Sequence, residues 1–276
     1  MRTKALTRFA SCLVIVIGVL FATLPIAWMI STSFKTYQEA FSVPPRWIPA
    51  NPTFANFINI WKDYPLATYF KNSLVIVIAA TALAITASTL TGFGLTRLRF
   101  RGKTAFATFI LTTQMFPSVM MVIPYFAILR KYGLVNTYTG LVLAYASFTI
   151  PLCSWMMVGY FRSISLELDD AAAIDGCSRF ETFYRIILPL TRPGLAATAI
   201  YAFLQGWNEY LFPLVLTTTN TMMPLSVGIG NMVGQYRIAW NDLMAASLVA
   251  SLPLIVVFVL LQRHFVAGLA AGAVKQ

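Results

Sequence analysis

Six apolar runs constrain this chain more than any other feature: Ala10–Ile30, Asn72–Gly92, Thr104–Leu129, Thr139–Phe161, Pro193–Leu216 and Leu243–Leu261. Each is close to or above the roughly 20 residues a helix needs to cross a hydrocarbon layer about 30 Å thick. Lipid offers backbone amides no partners, so the runs must become helices or a closed barrel. Continuous rather than alternating apolarity selects helices. Hydrophobic residues make up 58% of the chain and charged residues only 11%. A soluble domain carries about 25% charged residues, so this surface does not mainly face water. The expected fold is all-α: one polytopic membrane domain over residues 1–276, with six spans, a polar loop at 162–192 and a C-terminal tail at 262–276. The first run follows Arg2, Lys4 and Arg8 in the manner of a signal peptide. It is too long for such a segment and lacks a small-residue cleavage site, so it reads as a retained span.

The formal charge of +11 raises the prospect of nucleic acid, but the positions of the cations explain it otherwise. The N-terminal tail, Phe93–Lys103, Arg162–Arg192 and Gln262–Gln276 hold 13 Lys and Arg, against 7 in the alternate loops. That asymmetry predicts both termini in the cytoplasm, with lipid and not nucleic acid as the surroundings of the chain. Enzymatic chemistry finds no support. Gly102-Lys103-Thr104 resembles the end of a phosphate-binding loop, yet Arg97 stands where the first glycine is required. The single histidine, His264, has no nucleophile elbow, thiol or acid cluster beside it. Cys12, Cys153 and Cys177 have neither metal nor disulfide spacing. No catalytic residue, metal or cofactor is expected on this chain.

The loop at 162–192 is the polar exception. Ser165 to Asp175 contains strong helix formers, and Gly176 suits the left-handed position that ends a helix. Ser178 and Glu181 have capping-box spacing. Phe180, Phe183 and Ile187 recur at helical spacing as an apolar face, and Pro189 and Pro193 are expected to stop the second helix. A solvated connector would explain the charges alone. Ala171, Ala172 and Ala173 also make a thin helix side, ringed by Asp169, Asp170 and Asp175, which suits a docking knob better.

These residues carry a resemblance. Asp170-Ala171-Ala172, Ile174-Asp175-Gly176, Ile187-Leu188-Pro189-Leu190 and Pro193 resemble the "EAA" loop of binding-protein-dependent ABC importer permeases. Asp170 stands for the usual glutamate and Cys177 for a small alanine. Trp47-Ile48-Pro49, Asn56-Phe57, Asn72-Ser73, Trp207-Asn208-Glu209 and the Phe265–Lys275 tail extend the likeness toward the carbohydrate-uptake branch, to the smaller permease of maltose, trehalose and glycerol-phosphate importers. The resemblance implies a non-catalytic transport subunit that pairs with a homologous permease, two cytoplasmic ATPases and an extracytoplasmic sugar-binding protein. ATP and Mg would sit on the ATPases. Asp169–Gly176 would be the coupling helix held in an ATPase cleft, and Phe265–Gln276 would reach the ATPase pair.

Few polar groups interrupt the spans. Tyr201, Gln205, Asn208 and Glu209 are expected on one helix face, with Gln114 and the Ser147, Pro151, Ser154 row as further inward candidates. Two readings stand: a sugar path in which Trp207 or Tyr201 packs on a ring, or polar glue between helices. The expected solute is a di- or oligosaccharide of the trehalose or maltose class, with glycerol phosphate as the alternative. An ion-coupled secondary transporter would need more buried charge than Glu209 alone. A receptor or scaffold would use the loop only to recruit a partner. Pro44, Pro45, Pro49 and Pro52 stiffen the first outer loop, where Trp47, Trp61 and Tyr64 suit the interface or the binding protein.

Overall fold

A computed structural model describes residues 2–234 and 238–273, with side-chain detail for residues 9, 11–234 and 238–260. Arg2, Lys4, Arg8, His264 and the expected Phe265–Gln276 contact lie outside the described side chains. In chain order the helices are α1 (Arg2–Ser33), α2 (Tyr37–Ala40), α3 (Ala55–Lys62), α4 (Leu66–Arg97), α5 (Lys103–Thr113), α6 (Ser118–Lys131), α7 (Tyr138–Arg162) and α8 (Glu167–Ile174). They continue with α9 (Arg179–Glu181), a π-helical stretch (Thr182–Ile187), α10 (Leu188–Leu190), α11 (Arg192–Asn208), α12 (Leu211–Leu216), α13 (Leu225–Gly230) and α14 (Trp240–Ala273).

Among the described residues, four helical stretches are long and apolar enough to cross a bilayer: Ser11–Ser33, Leu66–Arg97, Tyr138–Arg162 and Trp240–Leu260. Two bent pairs bring the number to six if each counts once. These are Lys103–Thr113 with Ser118–Lys131, bent by 102°, and Arg179–Leu190 with Arg192–Asn208, bent by 73°. The all-α expectation holds, but two spans expected to be continuous do not. The run Thr104–Leu129 breaks between Thr113 and Ser118, where Pro117 (φ −59°, ψ 127°) leaves the helical region and has no amide to continue the ladder. The run Pro193–Leu216 breaks at Glu209, which is extended (φ −69°, ψ 124°). Pro213, four residues on, has no N–H for the Glu209 carbonyl; Ser226 Oγ donates to that oxygen instead, at 2.6 Å.

The chain divides into two compact units, Met1–Ala67 with Ile229–Leu252, and Thr68–Gly228 with Pro253–Gln276. In the first unit a buried polar knot organises the segment after α1. Asn56 Nδ2 donates to the carbonyls of Ser33 (2.7 Å) and Lys35 (2.8 Å), while Asn56 Oδ1 accepts from Asn241 Nδ2 at 2.8 Å. Lys35 is 1% exposed, with Nζ 3.8 Å from the centroid of the Trp28 ring and donating to Thr32 Oγ1. Burial pushes its ammonium pKa down, partly opposed by Glu39. Trp47 lies edge-on to Trp28 at 4.9 Å, and its carbonyl accepts from Ser31 Oγ. Asn56→Ala removes three buried hydrogen bonds, so about 2–4 kcal/mol should be lost locally. Trypsin cleavage at Arg46 of the membrane-embedded protein should accelerate at least tenfold.

In the second unit α7 forms the spine. Cys153, Met157 and Phe161 are fully buried, and Tyr145 nearly so. Thr137 starts the helix by accepting from Gly140 N at 3.0 Å. Helix α11 packs closely on α7, and Gly194 permits it: a Cβ there would lie 2.3 Å from the Tyr160 ring. Asn72 and Ser73 pin the loop before α13. Asn72 Nδ2 donates to the carbonyls of Thr221 and Met223, both at 2.9 Å, Tyr138 donates to Asn72 Oδ1 at 2.6 Å, and Ser73 Oγ accepts from Leu225 N.

Candidate solute cavity and coupling loop

The breaks at 114–117 and at Glu209 meet around one cavity of about 650 Å³ in the second unit. Gln114, Tyr201, Gln205 and Glu209 line it, as do Ser147 and Pro151. Asn208 and Ser154 do not. Asn208 Nδ2 folds back onto the Leu204 carbonyl at 2.8 Å, and Ser154 is buried, donating to the Ile150 carbonyl. Trp207 is 7% exposed, stacked on Phe203 and edge-on to Phe70, so it is a packing residue rather than a cavity ring.

Glu209 does not extend the Tyr201–Gln205 helix face, because the chain leaves α11 there. Its Oε1 accepts from Leu211 N (2.9 Å) and Phe212 N (3.0 Å), capping α12 with a carboxylate at the positive end of the helix. Elsewhere in the lining, Gln205 Nε2 donates to Tyr201 OH at 2.8 Å, and Tyr125 OH donates to Ser147 Oγ at 2.5 Å. Phe212, Phe148 and Tyr125 add aromatic faces missed in the sequence: Phe148 stacks on Phe212 at 5.3 Å and Tyr125 meets it edge-on at 5.4 Å. They lie on three different helices, and no spacing in the sequence links them. Among the described residues, Glu209 is the one charged group in the lining, and no Lys or Arg faces it there. Such a wall offers hydroxyl-bearing solutes both donors and acceptors beside flat apolar surface.

The loop forms helix, glycine turn, helix. Gly176 ends α8 in the left-handed region at φ +82°, and Cys177 N reaches back to the Ala172 carbonyl at 2.9 Å. Ser178 and Glu181 form the full capping box, with bonds of 2.9 and 3.3 Å. Those bonds and Arg185 hold the Glu181 carboxyl below its usual pKa range. Three expectations change. Phe180 is 73% exposed while Phe183 and Ile187 are buried with Phe93, Met157 and Phe161, because the π-helical stretch alters the register after Phe180. Pro189 does not stop the helix: the wider turn before it accommodates the ring, and the chain turns at Thr191. Asp169 does not join the exposed ring of acids: its Oδ2 pairs with Arg97 Nε at 3.0 Å, and Arg97 Nη2 donates to the Ile164 carbonyl at 2.9 Å. Ala172 also faces inward, at 2% exposure. Asp170, Ala171, Ala173, Asp175 and Gly176 remain on the surface, next to exposed Ile174.

This architecture of apolar crossings, two of them bent, is the fold of an ABC importer permease. The chain superposes on a chain of a bacterial ABC transporter involved in the import of the acidic polysaccharide alginate, with a TM-score of 0.85 at 21% identity, covering 96% of this chain and 98% of the other. Residues 84–270 match the binding-protein-dependent transport system inner membrane component, and the chain belongs to that family. It is 34% identical over 268 residues to the sulfoquinovosyl glycerol transport system permease protein SmoH of Agrobacterium fabrum, covering 97% of this chain and 93% of the relative. It is also 34% identical over 278 residues to the trehalose/maltose transport system permease protein MalG of Thermococcus litoralis, covering 100% and 99%. The chain is therefore a multi-pass inner membrane component of a transporter that works with a binding protein.

Proposed function

We propose that this chain is one of two paired permease subunits of an ATP-driven importer for a neutral di- or oligosaccharide of the trehalose or maltose class. Both termini lie in the cytoplasm, a sugar-binding protein delivers solute from outside, and two ATPases carrying ATP and Mg dock inside. The surface formed by Asp170, Ala171, Ala173, Asp175 and Gly176 is the coupling helix. Asp169 and Ala172 hold that helix onto the permease from behind. Closing of the ATPases favours the outward-open state, and hydrolysis resets it, because ATP acts only through differential binding to the two states.

The observation that carries the solute class is the lone carboxylate of Glu209 in an otherwise neutral, hydrogen-bonding and aromatic cavity. A phosphate or sulfonate on the solute would meet uncompensated like charge there, whereas neutral hydroxyls would find acceptors and donors. Glycerol phosphate is disfavoured on the same ground. Proteoliposomes holding the complete transporter should accumulate radiolabelled trehalose or maltose and reject anionic analogues. Preferential uptake of glycerol phosphate would overturn this assignment. Glu209→Gln keeps an oxygen to cap α12 but removes the charge. It should lower kcat/KM for the neutral sugar by about tenfold, the worth of a charge-assisted hydrogen bond, and relax the exclusion of anions.

A further inference from the structure

A second cavity, of about 270 Å³, lies at the other end of α5, between its first turns and the final turns of α4 and α7. Arg162 and Lys103, whose Nζ also donates to the Leu98 carbonyl at 3.1 Å, line it, and among the described residues no acidic side chain does. Trp155 Nε1 is buried there without an acceptor. Among the described residues, the hydroxyls of Thr104 and Thr108 are also unpartnered. Helix α5 begins at Gly102 in the left-handed region (φ +85°), and no side chain caps its first amides. The polar side of the cavity is thus rich in donors and positive charge, the surroundings an anion requires. Its remaining wall is apolar, formed by Leu95, Ala107, Leu111 and Val158. The neighbouring surface of α5 exposes Phe106 and Phe109, at 45% and 65%.

We infer that this cavity binds the headgroup phosphate of an anionic phospholipid, with an acyl chain along the apolar flank of α5. A small soluble anion would satisfy Lys103, Arg162 and Trp155 but leave the apolar wall uncovered. A lipid satisfies both. The indole N–H with an apolar ring beside it matches the preference of tryptophan for the membrane interface. The placement agrees with the proposed orientation, in which the 93–103 turn and Arg162 face the cytoplasmic leaflet, but it does not depend on what the transporter carries.

The test is a titration of the purified full-length chain in detergent, read by native mass spectrometry. Phosphatidylglycerol and phosphatidylcholine with identical acyl chains are compared. Wild-type protein should bind the first about tenfold more tightly. Arg162→Gln and Trp155→Phe, checked for unchanged elution and melting temperature, should each cut that preference at least threefold. Arg99→Gln and Arg101→Gln, in the same turn but outside the cavity, should leave it intact. Equal binding of the two lipids by wild type overturns the inference without recourse to any variant. So does an equal loss in the Arg99 and Arg101 variants, which would mean diffuse attraction. Displacement of the lipid by millimolar inorganic phosphate at constant ionic strength would mark a small-anion site and overturn it as well.

Discussion

Gly176→Glu is expected to abolish uptake while normal amounts of the chain remain in the membrane. Gly176 sits at φ +82°, and no atom lies within 4 Å of where a Cβ would project. The substitution therefore meets no steric block inside this subunit. It costs about 1–2 kcal/mol of left-handed backbone strain in a surface turn, which the membrane bundle should survive. On the proposed docking role its damage falls outside the chain: a long charged side chain would stand where an ATPase comes close, beside Asp170 and Asp175. Gly176→Asn, which tolerates the left-handed region, separates backbone from surface effects and should retain most activity. Immunoblots of membranes alongside radiolabelled sugar uptake read both quantities. Normal transport by the glutamate variant would remove the docking role from this turn.

Arg97→Leu should produce the second large effect. The Arg97 side chain is 6% exposed and Asp169 24%, so removing the cation strands a carboxylate in a partly desolvated place and uncovers the Ile164 carbonyl. Loss of one member of a buried pair costs about 3–5 kcal/mol, and the partial exposure of Asp169 puts this case at or below the lower end. The ion pair also joins the end of α4 to α8, the proposed coupling helix, so its loss should let the loop move without the membrane helix. Uptake should fall more than tenfold. The double variant Arg97→Leu with Asp169→Leu should recover much of the thermal stability, since no charge is left unpaired, but little of the transport. Recovery of both would reduce the pair to a stability element. A double-mutant cycle on melting temperature and uptake distinguishes these outcomes.

Sequence reasoning succeeded where the deciding physics was local. The glycine turn at 176 and the Ser178–Glu181 box depend on residues within one or two turns, and both formed as the spacing required. The crossings were legible for the same reason, since length and apolarity suffice. The breaks were not. Pro25, Pro124, Pro151 and Pro253 all lie inside continuous helices, while Pro117 begins a new one, and nothing in a proline itself separates the two cases. The interruption at Glu209 depends on Pro213 together with a hydroxyl from Ser226, 17 residues away. Asp169 looked like its acidic neighbours until Arg97, 72 positions earlier, was brought against it by α4. Gln114, Ser147, Tyr201, Gln205 and Glu209, which reach the cavity, were found in the sequence, but Thr113, Ser118 and the aromatic wall beside them needed three-dimensional placement.

The interruption of the third crossing has a consequence for how tightly the pathway can ever close. Near the midpoint of that apolar run, Gln114 N, Met115 N and Thr113 Oγ1 satisfy the last carbonyls of α5, at Leu111, Thr112 and Ile110, but the first amides of α6, at Ser118 and Val119, lack intrahelical mates. Hydrocarbon cannot satisfy them, so their tolerance in a bilayer rests on moisture reaching this depth. An occluded state squeezed dry would strand these peptide groups. The resting transporter should therefore keep a few ordered waters at the kink, and expelling them sets a floor on the work needed to seal the membrane between cycles.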